Sequence, residues 1–87
     1  MSEEKLQEIG VITHYFPKIS VAVIKLKAPV QVGDTIRIVG ATTNFEQPIK
    51  SMEVEHKKIE KANAGDSIGL KVEERVREKD IVYKKLA

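Results

Sequence analysis

Gly65-Asp66-Ser67-Ile68-Gly69 fits the G-x-S-x-G pattern in which a hydrolase holds a nucleophilic serine on a strained turn between a strand and a helix. That chemistry needs a histidine base within reach, and in the order of the α/β-hydrolases the histidine follows the serine. Here both histidines, His14 and His56, precede Ser67, and the residues after Gly69 read as a strand. The same short grammar recurs in Val32-Gly33-Asp34-Thr35-Ile36, so one explanation should cover both. Turn chemistry does: Gly33 and Gly65 supply a positive φ, Asp34 and Asp66 close the turns, and Thr35 and Ser67 open the next strands.

Other chemistry finds no foothold. The histidines have no metal-ligand spacing and no cysteine exists to complete a thiolate site. Paired carboxylates at Glu53/Glu55 and Glu73-Glu74 lack the apolar surroundings that would raise one pKa for acid–base work. The five glycines form neither a Walker loop nor a dinucleotide fingerprint. The expectation is a non-enzymatic module with no cofactor and no metal.

The elements that position these turns are short. Runs rich in Val, Ile and Thr alternate with turn signals, which argues for an all-β barrel or sandwich. The pattern predicts strands over Glu8–Phe16, Ser20–Lys27, Thr35–Val39, Ile49–His56 continuing to Ala62, Ser67–Glu73 and Ile81–Lys85. A short helical turn is expected near Val76. Residues 1–7 are expected to be a flexible terminus and 8–87 a single domain, since 87 residues suffice for one core only.

In Thr35–Val39, Ile36 and Ile38 alternate with Arg37, giving one apolar face. The run Ile19–Leu26 is different: Ala22, Ile24 and Leu26 make one apolar face, while Val21 and Val23 make the opposite face apolar too. One face goes to the core, and the other is covered by neighbouring chain or left for a partner.

Basic and aromatic residues give the one serious binding signal among the chemistry-bearing residues. Lys18, Lys25 and Lys27 fall near His14, Tyr15 and Phe16 across the first hairpin, and Lys57, Lys58 and Lys61 form another cluster, with Phe45 in the longest loop. An exposed aromatic beside lysines can stack a base and hold a phosphate, which makes Tyr15 a candidate, whereas Phe16 reads as a core residue. The net charge of +2 is too small to imply nucleic acid by itself. The longest apolar run is far below a membrane span and the first residues are not a signal sequence, so the reading is cytoplasmic with no membrane partner. Abundant Val, Ile, Lys and Glu without Cys or Trp matches the usage of heat-adapted proteins, and predicts a melting temperature above about 60 °C.

Three segments carry a family resemblance: Pro29 to Gly40, Ile49-Lys50-Ser51-Met52-Glu53, and Ala62-Asn63-Ala64-Gly65-Asp66-Ser67-Ile68-Gly69-Leu70. Together they resemble domain 2 of translation elongation factors such as elongation factor Tu, which implies a closed six-stranded antiparallel β-barrel of the translation-protein type. The family's closing Arg-Gly-x-hydrophobic-hydrophobic reads here as Lys79-Asp80-Ile81-Val82-Tyr83, and its Gly-Arg-Val-Glu-x-Gly hairpin as Val23 to Ala28, without glycines or arginine. No GTPase domain accompanies the barrel. The segment Val76 to Lys84 is also similar to the ending of the C-terminal accessory barrel of the collagenase-like peptidase family, several of whose members are linked to RNA modification. These resemblances imply an RNA- or translation-associated adaptor, with transfer RNA, ribosomal RNA or the ribosome, or a translation or RNA-modifying protein, as partner. The alternative is a protein-docking barrel whose Val21/Val23 face seats on a separate peptidase-like or RNA-modifying catalytic chain.

Overall fold

The computed structural model describes residues 5–86; the part of the expected flexible terminus before residue 5 lies outside them. Ten strand segments occur among these residues: β1 (Leu6–Phe16), β2 (Val21–Leu26), β3 (Val30–Gln31), β4 (Thr35–Val39), β5 (Asn44–Pro48), β6 (Met52–Val54), β7 (Lys57–Ile59), β8 (Lys61–Ala62), β9 (Ser67–Lys71) and β10 (Ile81–Lys85). Only strands occur among the described elements and their ladders are antiparallel, so the fold is all-β. Eight strands form one sheet in the order β5-β4-β10-β1-β2-β9-β6-β7, and β3 and β8 form a separate ribbon.

Six strands closed into a ring were expected; the main-chain ladder instead ends on β5 and β7. The side chain of Gln47 bridges from β5 to the far end of β9: its Nε2 donates to the Lys71 carbonyl at 3.0 Å and its Oε1 accepts from the Glu73 N–H at 2.8 Å. A side-chain amide there does the job of a backbone rung, which explains why a polar Gln47 is 4% exposed. The stretch containing Phe45, expected to be the longest loop, is therefore partly a strand, with Phe45 and Gln47 alternating inward.

Two bulges in β1 change which side chains face the core. The pairing shifts between Glu8 and Gly10, and again between Ile12 and His14, leaving Thr13 as the extra residue. A bulge moves every later side chain to the other face. Ile12 is buried, but beyond the bulge Tyr15 packs against the core and Phe16 stands 43% exposed. The expected roles of Tyr15 and Phe16 are thus exchanged. β1 also starts at Leu6, so Leu6 and Gln7 pair with Lys85 and Lys84.

The strand expected over Ile49–His56 and on to Ala62 is broken by a two-residue turn. Glu55 and His56 both have positive φ, 51° and 66°, and Val54 pairs directly with Lys57. Two left-handed residues in succession make the hairpin turn whose twist matches the strands, usually written Asn-Gly. The helical turn expected near Val76 is absent; Val76 is buried in irregular chain.

Three four-residue turns share one geometry. The N–H of Asp34, Asp66 and Asp80 donates to the carbonyl three residues back, of Gln31, Asn63 and Arg77, each at 3.1 Å. The carboxylates return the bond, accepting from the N–H of Gln31, Asn63 and Arg77 at 3.0, 2.9 and 2.9 Å. The third residue has φ of 102° at Gly33, 94° at Gly65 and 76° at Lys79. Each turn feeds a strand, β4, β9 or β10. Lys79 occupies a position where a Cβ costs about 1–2 kcal/mol.

Candidate docking surface

The outer face of β2 is where the fold leaves apolar surface uncovered. Pairing places Phe16 opposite Val21, Val23 opposite Gly69, and Gly69 opposite Glu53, so these residues share the face turned away from the core. Val21 and Val23 are half-buried, whereas Ala22, Ile24 and Leu26 on the same strand are sealed inside. The hairpin turn adds Ile19, 60% exposed. Between the hairpin and the Glu55-His56 turn runs a groove of about 260 Å³ with Val21, Val23 and Gly69 among its lining residues. Small-molecule pockets run about 300–1,000 Å³, so the groove suits anchoring side chains of a macromolecule better than an enclosed ligand.

The groove is braced. The imidazole of His14 packs on the ring of Phe16, with centroids 4.4 Å apart and planes tilted by 56°, and His14 Nδ1 lies 3.5 Å from Glu78 Oε2. Thr13 Oγ1 donates to the Val23 carbonyl at 3.3 Å across the bulge. The Val72 N–H donates to the Ser20 carbonyl at 2.8 Å, tying the hairpin tip to the chain beyond β9. Side chains held in place before contact lose less entropy when a partner seats on them.

Gly69 forms part of this outer face and differs from the other in-strand glycine, Gly10. A Cβ on Gly10 would stand 2.5 Å from the Lys25 carbonyl oxygen, so packing excludes any side chain there. A Cβ on Gly69 would meet Val21 Cγ1 at 3.5 Å and the Glu53 carbonyl oxygen at 3.8 Å, ordinary contacts. The fold does not require Gly69 to be bare.

Ser67 and His56 both line this groove, yet no hydrogen bond joins them among the described residues. Gly65 has the left-handed conformation and Ser67 opens β9, the arrangement of a turn entry. No cluster of three or more His, Cys, Asp or Glu able to hold a metal occurs among the described residues.

The lysines do not form one surface. Lys25 Nζ donates to the Gly65 carbonyl at 3.0 Å, and Lys27 pairs with Glu8 at 2.5 Å. Lys18 is in the hairpin turn. Lys57 and Lys58 are neighbours on β7 and so point to opposite faces, with Lys58 across from Glu53. Lys61 sits on the separate ribbon, lining a cleft with Lys84 and Asp34. Tyr15 is half-buried and packs against the core.

Comparison with known proteins gives the same direction. Residues 4–82 match the family described as the peptidase family U32 C-terminal domain, and the chain belongs to that family. It is 44% identical over 77 residues to an uncharacterized protease of Methanocaldococcus jannaschii, a match covering 87% of this chain and 19% of that protein. The chain therefore spans about a fifth of the curated relative it matches. Its fold resembles the crystal structure of the C-terminal domain of a Geobacillus thermoleovorans protein assigned to the U32 peptidases, with a TM-score of 0.84 at 20% identity, covering 90% of this chain and 91% of the other. The selenomethionine variant of that domain superposes with a TM-score of 0.83 at 19% identity, covering 87% and 96%.

These matches support the resemblance to the peptidase accessory domain; they do not show the likeness to elongation factors. They overturn the expected association with translation, the ribosome and RNA, because the family is that of a peptidase C-terminal domain. Of the basic residues in that reading, Lys25 and Lys27 have partners within the domain. No helix among the described residues is long and apolar enough to cross a membrane.

Proposed function

We propose that this domain is a non-catalytic accessory module that seats on a peptidase-like catalytic chain through the groove at Phe16, Ile19, Val21 and Val23. The observation that carries the reading is the extent of the match: the family is a C-terminal domain, and the relative devotes only 19% of its length to the matching part. The apolar groove supplies a surface of the right kind, since large exposed aromatic and aliphatic side chains serve as anchors in protein interfaces. The work of the module is positioning; bond cleavage belongs to the remainder of such a protein.

The test mixes the 87-residue chain with the Methanocaldococcus relative shortened by its matching part, and follows association by calorimetry. The unaltered chain binds, and Phe16→Ser with Ile19→Ser weakens binding by about a hundredfold, as expected for loss of about 2–3 kcal/mol at central anchors. Binding that survives this double change intact removes the groove from the reading.

A further inference from the structure

We propose that Gly69 marks the seat for an apolar side chain of the partner, and that the partner segment carries a lysine or arginine that meets Glu53 or Glu55. This rests on the docking reading above and adds the chemistry of what docks.

Two observations meet at Gly69. Glycine inside a strand weakens it, and it persists where a bulge, a sharp bend or close approach of another group requires it. At Gly69 the register with Val21–Lys25 is unbroken, φ is not in the left-handed range, and a Cβ would meet nothing closer than 3.5 Å. The internal reasons for a glycine are therefore missing, and an external group approaching the sheet is the remaining one. The approach is apolar on the side of Val21, Val23, Phe16 and Ile19.

On the other side the groove is lined by glutamates, and the lysines of the same face stand outside it: Lys25 donates to the Gly65 carbonyl and Lys71 pairs with Val21 at the hairpin end. The groove lining contains Glu53 and Glu55 and neither lysine nor arginine. Both glutamates are exposed, and neither makes an ion pair among the described residues, although Lys58 stands opposite Glu53 on β7. Glu55 is held at the rim by the left-handed turn it shares with His56, where Asn-Gly would be cheaper. An apolar anchor flanked by a cation complements this surface, and an acidic flank is repelled by it.

The test uses the ¹⁵N-labelled 87-residue chain and two synthetic peptides sharing a Leu-Phe core, one flanked by arginines and the other by glutamates. The arginine peptide shifts the amide signals of Val23, Glu53 and Gly69 and binds about tenfold tighter than the glutamate peptide at low salt. Joint Glu53→Gln and Glu55→Gln changes remove that preference. Gly69→Val abolishes binding while the melting temperature stays at or above that of the unaltered chain, and Gly69→Ala gives an intermediate loss. Equal binding of the two peptides, or full binding by Gly69→Val, overturns the proposal. If neither peptide binds, the proposal also falls. The accessory reading is judged separately, by the association of the Phe16/Ile19 variant with the peptidase remainder.

Discussion

Both faces of β2 carry apolar residues, Ala22, Ile24 and Leu26 on one and Val21 and Val23 with Lys25 on the other, and they differ in what covers them. Ala22, Ile24 and Leu26 are at most 2% exposed, whereas the opposite face places Val21 and Val23 beside Phe16 and Ile19 at 43% and 60% exposure. The inner face belongs to the core, and the outer face, less buried, is expected to contribute less to stability. An apolar residue can thus be conspicuous in the sequence for either of two reasons, and only its neighbours distinguish them. The pair of in-strand glycines repeats the contrast: a Cβ on Gly10 would collide with a carbonyl oxygen, and a Cβ on Gly69 would make only ordinary contacts.

Substitutions separate the two faces by size of effect. Ile24→Ala opens a cavity in the core and should cost about 2–5 kcal/mol in urea unfolding. Gly10→Ala forces a methyl onto the Lys25 carbonyl and should cost about 1–3 kcal/mol, while Gly69→Ala leaves stability unchanged or raises it by up to about 0.5 kcal/mol. Equal losses at the two glycines would erase the distinction between them. Lys79→Gly relieves the left-handed residue of the third turn and should raise stability by about 0.5–1 kcal/mol, a gain of several degrees in thermal melting. The smallest effect belongs to the outer face, where Phe16→Ser should change the unfolding free energy by no more than about 0.5 kcal/mol. A loss near that of Ile24→Ala would mean that Phe16 is part of the core.

Much of the fold was legible because strict alternation in Thr35–Val39 and Ser67–Lys71 reports one buried face, and Gly-Asp pairs announce the turns before them. The third such turn was hidden because Lys79 stands where glycine is usual, and only its φ of 76° reveals the shared geometry. The Glu55-His56 hairpin was hidden for the same reason. Phe16 was misplaced because alternation carried through Thr13 puts it inward, and a bulge leaves no mark in residue type. Gln47 escaped notice since its burial depends on backbone groups of Lys71 and Glu73 far along the chain. The exposed apolar face was half visible: Val21 and Val23 marked it, but Phe16 and Gly69 join them only through strand register, and Ile19 through the hairpin turn. Spacing along the chain says nothing of the acceptors that Lys25 and Lys27 find.

The central claim is that the outer face of β2 serves a partner and not the fold. The most direct measurement compares the unaltered chain with the Phe16→Ser/Ile19→Ser variant, recording both the urea midpoint and the affinity for the remainder of the Methanocaldococcus relative. The account predicts midpoints that agree within the equivalent of about 1 kcal/mol and an affinity lowered by about a hundredfold. A variant that unfolds far more easily, or that binds as tightly as the unaltered chain, contradicts it.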